Sequence, residues 1–280
     1  MNILHAIVLG AIQGIAEFLP ISSSAHLVIA QNALHWQAGE QEKLFFDVLL
    51  HLGTLIALVA YFWRDWRDMI KANIELGKQT DRSEAELAAL KAKSMPLWPI
   101  IAASIPGALF GVLLEKKMDK VHDPRLIGAA MIGLAILLFI ADRRSVREGR
   151  SMQKVTMKDW LTVGLAQALA VVPGVSRSGI TITAGLFCGL KREAAARFSF
   201  LLGAPIIFGA AVWELRKFGQ IDHSQWPAFI AGLLTSAIVG YLCIGFLMEY
   251  LKKRSMTLFV VYRILFGITI ICVYMMGGLR

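Results

Sequence analysis

The chain has 280 residues, 56% of them hydrophobic and 18% charged, with a mean hydropathy of +0.60 and a net charge of +9. A soluble domain is nearer half apolar, so this composition excludes an ordinary soluble protein and implies one that lives in a bilayer. A basic chain also suits a nucleic-acid partner, but here the charges sit in short loops between apolar runs, and no nucleic acid is expected.

Residues 3–30 are apolar but broken midway by Pro20 and the hydroxyls of Ser22, Ser23 and Ser24. They predict a helical hairpin that enters and leaves on one side, a form tolerated where irregular backbone is buried or lines a cavity. No basic n-region precedes it, so a cleavable signal peptide is not expected. Within its first helix Gln13 and Glu17 are four apart and share a face. Glu17 lies among Ile15, Ala16, Phe18 and Leu19, where a carboxylate is costly. That setting points to metal binding or proton transfer, with an ion pair to Arg177 as the structural alternative. His26 follows the three serines and is a second candidate. His51 divides evenly between packing and an outer role, while His5, His35, His122 and His223 read as rim or loop residues.

Six apolar runs follow, at 45–63, 97–114, 126–141, 198–213, 227–248 and 257–277. Several approach the ~20 residues that a span requires; 126–141 and 198–213 are short. Trp63, Trp66, Trp98, Trp160 and Trp226 fall near run ends, as an aromatic belt does. Cys188, Cys243 and Cys272 lie in apolar stretches without metal spacing and read as small core residues. Arg263 sits in the last run, either snorkelling to the interface or buttressing a cavity.

Residues 160–190 form a second broken segment, carrying Pro173-Gly174-Val175-Ser176-Arg177-Ser178-Gly179. An arginine in such surroundings costs a few kcal/mol even on lenient insertion scales, roughly 3. It implies an anion or a watery cavity for its five donors. Gly174 and Gly179 release the backbone so that N–H groups can face a phosphate.

The two hairpins are copies. At an offset of 154, Gly10, Gln13, Ala16, Ser22 and Ser24 fall on Gly164, Gln167, Ala170, Ser176 and Ser178. Three runs follow each hairpin, and an odd number inverts the second copy, bringing the two tips together near the midplane. The expected fold is an all-α polytopic membrane protein, with six transmembrane helices plus two broken re-entrant hairpins in an inverted-topology repeat. It forms one domain over 1–280, with halves 1–142 and 158–280 joined by a basic loop at 143–157. Loops 64–93, 143–158, 191–197 and 252–254 carry 19 Lys and Arg against eight on the other side. The positive-inside rule makes the richer set cytoplasmic, with both termini and the first hairpin opening outward.

Residues 13–26 and 173–179 together resemble the undecaprenyl pyrophosphate phosphatase family of the bacitracin-resistance type. The resemblance lies in a Glu/Gln-x-x-x-Glu motif at Gln13 to Glu17 and a Pro-Gly-x-Ser-Arg-Ser-Gly motif. Leu52-Gly53-Thr54, Phe198 to Leu202 and Tyr262-Arg263 extend it over nearly the whole chain. Ser24-Ala25 stands where relatives can carry Thr-Gly, and Gln13 where others carry glutamate. The resemblance implies a bacterial inner-membrane enzyme that hydrolyses undecaprenyl pyrophosphate to undecaprenyl phosphate, recycles the carrier for peptidoglycan synthesis and gives bacitracin resistance. It also implies Mg2+ or Ca2+, with Glu17 and Gln13 as ligands.

Phosphoanhydride cleavage needs fixed donors where charge grows. Arg177 can clamp a phosphate, assisted by Ser22, Ser24, Ser176, Ser178 and the N–H groups near Gly174 and Gly179. The nucleophile is Ser23 or water, with His26 as its base or as the acid for the leaving group, and Glu17 as an alternative base. A polyprenyl-phosphate flippase built on the same repeats is the competing class. The oligomeric state is open, and a homodimer is compatible.

Overall fold

Leu19 and Val172 each precede a proline, and both adopt extended backbone (ψ of 143° and 119°), because proline sterically disfavours helix in the residue before it. Each break is followed by a serine at positive φ, Ser22 at 77° and Ser176 at 66°. Among the described residues these are the two non-glycine positions in the left-handed region, a conformation that costs about 1–2 kcal/mol. The offset of 154 links them, so the copied segments share a strained turn as well as a motif.

The computed structural model describes residues 1–34, 36, 38–77, 97–118, 123–144, 149–216 and 223–277. These form α1 (Ile3–Phe18), α2 (Ser23–Ala33), α3 (Glu40–Tyr61), α4 (Trp63–Gly77), α5 (Leu97–Met118), α6 (Pro124–Arg144), α7 (Met157–Gln167), α8 (Arg177–Phe187), α9 (Arg192–Leu215), α10 (Trp226–Lys253) and α11 (Thr257–Met275). Of these, α3, α5, α6, α9, α10 and α11 are long and apolar enough to cross a membrane. The short runs at 126–141 and 198–213 reach that length because their helices continue into polar ends, to Arg144 in α6 and back to Arg192 in α9. The protein is a multi-pass membrane protein. Its hairpins are α1 with α2, and α7 with α8, the latter interrupted by a 3-10 turn over Ala168–Val171.

Each hairpin packs on a span from the other copy. α1 lies along α10, and a Cβ at Gly10 would sit 2.5 Å from the Gly232 carbonyl oxygen. α7 lies along α5, and a Cβ at Gly164 would sit 2.6 Å from the Ala103 carbonyl oxygen. Gly10 and Gly164 are again the offset pair. Only glycine permits helices to approach this closely, and dispersion over the contact holds each hairpin in place.

The basic loops gather at one end. Arg197 of α9 pairs with Asp65 of α4, Arg192 pairs with Asp142 of α6, and the Met256 N–H donates to that same Asp142. Arg150 grips Asp159 with both Nη atoms at 2.7 Å and also donates to the Cys188 carbonyl. At the opposite end the Met1 ammonium bonds Gln225, and Arg125 stacks over Tyr274 at 5.3 Å.

Three expectations are corrected. Residues 63–77 form the amphipathic helix α4 rather than loop, burying Met69 and Ala72 while exposing Arg67. Trp160 is core rather than belt, packed edge-on against Phe198 at 4.3 Å. Cys272 is exposed on α11, whereas Cys243 is buried. His35, His122 and the remainder of the 64–93 loop beyond Gly77 lie outside the described residues.

Candidate active site

The break after α1 leaves Glu17 in its last turn, pointing at the other tip. Its carboxylate is 7% exposed, and Arg177 Nη2 donates to Oε1 at 2.7 Å. Ser23, at the start of α2, donates to Oε2 at 2.7 Å, and Gln13 Nε2 donates to the same atom at 3.2 Å. This carboxylate is paired and hydrogen-bonded on every side that the protein reaches, as a buried charge must be.

Arg177 is held from behind. Its Nη1 donates to the Ser199 carbonyl at 3.2 Å, and the guanidinium lies across Gly203 so closely that any Cβ there would overlap it. Ser199 Oγ in turn bonds Thr181 Oγ1 at 2.6 Å. The tips also join through Ser178, whose hydroxyl donates to the Leu19 carbonyl at 3.1 Å. Each turn carries the same hydroxyl pair, Ser22 with Ser24 at 3.3 Å and Ser176 with Ser178 at 3.2 Å.

Arg263 locks both tips at once. It is fully buried and donates to the Pro20 carbonyl of the first tip at 3.0 Å, the Gly174 carbonyl of the second at 2.9 Å, and the Met131 carbonyl of α6 at 3.1 Å. It buttresses the cavity and does not snorkel. The planar fork explains why arginine stands here: a lysine point charge could not serve three diverging carbonyls.

A cavity of about 380 Å³ opens above this cluster, bordered by Glu17, Ser23, Ser24, Ser176 and Arg177. These five candidates come together as the sequence implies. Gln13, Ser22 and Ser178 are buried behind that wall. Gly174 supplies a carbonyl to Arg263, and the Gly179 N–H is already taken by Ser176 Oγ at 3.1 Å. The expected backbone nest is therefore spent on capping α8.

His26 is not on the cavity wall. Its Nδ1 bonds the Ser22 carbonyl at 2.7 Å, its Nε2 bonds the Tyr262 hydroxyl at 2.6 Å, and its ring stacks on Phe266 at 4.3 Å. A carbonyl at Nδ1 requires the proton there, so Nε2 accepts from Tyr262. The imidazole that does reach the cavity is His51 of α3, with Nε2 3.6 Å from Glu17 Oε2 and Nδ1 bonded to the Asp47 carbonyl. Asp47 borders the cavity too and accepts from Gln31 at 2.7 Å. Sequence reading missed Asp47, although a carboxylate four residues before His51 on an apolar helix was a legible signal.

The donor set fits a divalent cation. Glu17 and Asp47 are hard oxygen donors on the cavity wall, and behind Glu17 lies Gln13 Oε1, buried and without a hydrogen-bond partner. No group of three or more His, Cys, Asp or Glu gathers among the described residues. A cation here would therefore take few protein ligands and complete its shell with phosphate oxygens and water, as Mg2+ commonly does.

A second cavity, about 590 Å³, runs between α5 and α9 and is mostly apolar, with Ser104 and Glu214 as its polar lining residues. Leu44, Gly107, Gly111, Ile206 and Ala210 border both cavities, so the two adjoin.

A family model described as bacitracin resistance protein BacA matches residues 6–269. The chain is similar to the undecaprenyl-diphosphatase of Moorella thermoacetica, 46% identical over 275 residues and 98% of each chain. The undecaprenyl-diphosphatase of Pelotomaculum thermopropionicum is 45% identical over 273 residues, 97% of this chain and 96% of that one. That of Elusimicrobium minutum is 44% identical over 278 residues, 99% of this chain and all of its own.

Proposed function

The chain belongs to the bacitracin resistance protein BacA family, and from that premise we propose that the cavity between its hairpin tips hydrolyses undecaprenyl pyrophosphate to undecaprenyl phosphate and inorganic phosphate. One observation carries the reading. Arg177, Glu17 and Ser23 converge on one cavity, and a more apolar groove between spans adjoins it. A charged headgroup on a long hydrocarbon tail needs that pairing of surfaces. The prenyl chain lies in the α5–α9 groove, and the diphosphate lies against Arg177.

The chemistry follows from the hydrogen bonds. The guanidinium fork of Arg177 binds oxygens of the terminal phosphate and meets the charge that grows on them. Ser23 Oγ attacks the terminal phosphorus while Glu17 Oε2, already its acceptor, takes the proton. The bond from that phosphorus to the bridging oxygen breaks, and the electron pair leaves with undecaprenyl phosphate. A water oxygen then attacks the phosphoserine phosphorus, the bond to Ser23 Oγ breaks, Glu17 returns its proton to that oxygen, and inorganic phosphate leaves with both water protons. His26 acts as a positioning residue, tying the Ser22 turn to Tyr262. Glu17, backed by Gln13, would hold Mg2+ or Ca2+, which would supply positive charge to the phosphate oxygens.

The enzyme sits in the bacterial inner membrane. The basic end carries residues 64, 143–144, 149–158, 191–197 and 252–256 and faces the cytoplasm by the positive-inside rule. The end holding Met1 and Gln225 faces outward by the same rule, and the cavity lining at Leu44 and Asp47, near the Glu40 start of α3, supports an opening toward that side.

Phosphate release from undecaprenyl pyrophosphate by detergent-purified protein tests the activity. Lipid movement across vesicles without phosphate release would overturn it.

A further inference from the structure

Gln167 is the offset partner of Gln13, and the two copies differ one helical turn further along the chain. Four residues after Gln13 comes Glu17, which accepts from the Gln13 amide. Four residues after Gln167 comes Val171. The second amide therefore has no carboxylate on its own helix face. Gln167 is 2% exposed, borders the cavity, and neither its Oε1 nor its Nε2 has a hydrogen-bond partner. A buried amide left unmatched costs about 1–3 kcal/mol, and such a group beside a cavity is placed to be matched by what the cavity holds.

Its position says which part of the ligand. A Cβ at Gly107 would lie 3.3 Å from Gln167 Cγ and 3.5 Å from Nε2, so the amide rests directly on Gly107. Gly107 borders both the polar cavity and the apolar groove. Arg177 and Ser23 border only the polar cavity. A lipid diphosphate with its tail in the groove and its terminal phosphate at Arg177 must pass its inner phosphate beside Gln167.

We propose that Gln167 is a binding residue for the phosphate that remains on the lipid, donating through Nε2 to that group in both substrate and product. The inference rests on the hydrolase reading. A neutral amide suits the task. It stabilises charge arriving on the departing phosphate without the strong ion pair that would retain the product. The second copy thereby uses the glutamine that the first spends on holding Glu17.

Binding by calorimetry to the purified protein tests this without requiring turnover, with farnesyl phosphate and inorganic phosphate as the two probes. Gln167→Leu should weaken farnesyl phosphate about 10-fold or more, the scale of one hydrogen bond to a charged group, and change inorganic phosphate less than about 2-fold. Equal loss for both probes, or no loss for either, would overturn the assignment. Should Gln167→Leu fail to fold, Val171→Glu supplies the missing carboxylate and should occupy the amide, with the same selective loss expected. If wild-type protein releases no phosphate from undecaprenyl pyrophosphate yet shows this selectivity, the hydrolase reading fails while Gln167 keeps its role.

Discussion

Glu17 and Arg177 are 160 residues apart in the chain, and their side chains meet at 2.7 Å. The pair closes the floor of the cavity and joins the two copies of the repeat. Neither charge is tolerable alone at this depth, since removing one partner of a buried pair leaves an uncompensated ion and costs about 3–5 kcal/mol. Under the proposed hydrolysis, oxygens of the diphosphate would take over part of the carboxylate's role opposite Arg177.

Replacing Arg177 by lysine keeps the charge and loses the fork. Turnover should fall at least ~100-fold, as when one strong transition-state donor is removed, while the thermal melting point changes little. Near-full turnover in a folded Arg177→Lys variant would show that no bidentate clamp operates.

Glu17 and His26 separate by two measurements. Glu17→Gln removes the acceptor of the Ser23 proton and should lower turnover by ~100-fold or more, with at most partial recovery at raised Mg2+ or Ca2+, since refilling the cation site does not replace the proton acceptor. Full recovery with metal would make Glu17 a ligand only. His26→Ala should lower turnover without altering the shape of the pH–rate profile, because its ring nitrogens face Ser22 and Tyr262 instead of the cavity. A lost titration in that profile would return His26 to proton transfer.

Arg263 holds three elements through backbone carbonyls, so its removal leaves several buried acceptors unmatched. Arg263→Met should destabilise the protein by more than about 4 kcal/mol, at the extreme of single substitutions. Arg263→Lys should recover only part of this, because one ammonium cannot reach diverging carbonyls. Thermal unfolding in detergent reads both. A melting point for Arg263→Lys equal to wild type would refute the account.

Orientation is read by an impermeant thiol reagent. In a variant whose native cysteines are replaced, Lys253→Cys should resist labelling in intact cells and label after permeabilisation. Lys253 is well exposed at the basic end. Labelling from outside would invert the proposed topology.

The anchor at the start of α7 is pH-sensitive. Burial alone would raise the Asp159 carboxyl, but the Arg150 fork and the Thr156 N–H and hydroxyl outweigh it and hold it at about 2. A depressed carboxylate contributes stability that is complete above its unfolded value near ~4 and is lost as pH falls toward the folded value. Between about pH 4 and 2, proteolysis at the linker around Arg150 should rise in wild type. In Asp159→Asn that dependence should be absent; a rise of equal size in the variant would exclude Asp159 as its origin.

Much of this was legible from local signals. Apolar run length set the spans, prolines at 20 and 173 set the hairpin breaks, and an arginine among apolar residues implied an anionic partner, which the structure supplies as Glu17. The offset of 154 exposed the repeat, because duplicated segments preserve the residues that pack and turn. The convergence of Glu17, Ser23 and Arg177 followed from inversion alone. These inferences need only steric rules and the cost of burying charge, both of which act within a segment.

Tertiary structure decided the rest. Whether an imidazole reaches the cavity depends on which helix lies against its face. α11 offers Tyr262 and Phe266 to His26 and draws that ring off the wall, while α3 delivers His51. The role of Arg263 depends on carbonyls from three distant segments, which no local pattern reports. Gln167 is marked by what it lacks, and an absent partner becomes visible only when every neighbour is in place. Periodicity and composition identify which groups are costly to bury; the packing of the spans selects the partner that offsets each cost.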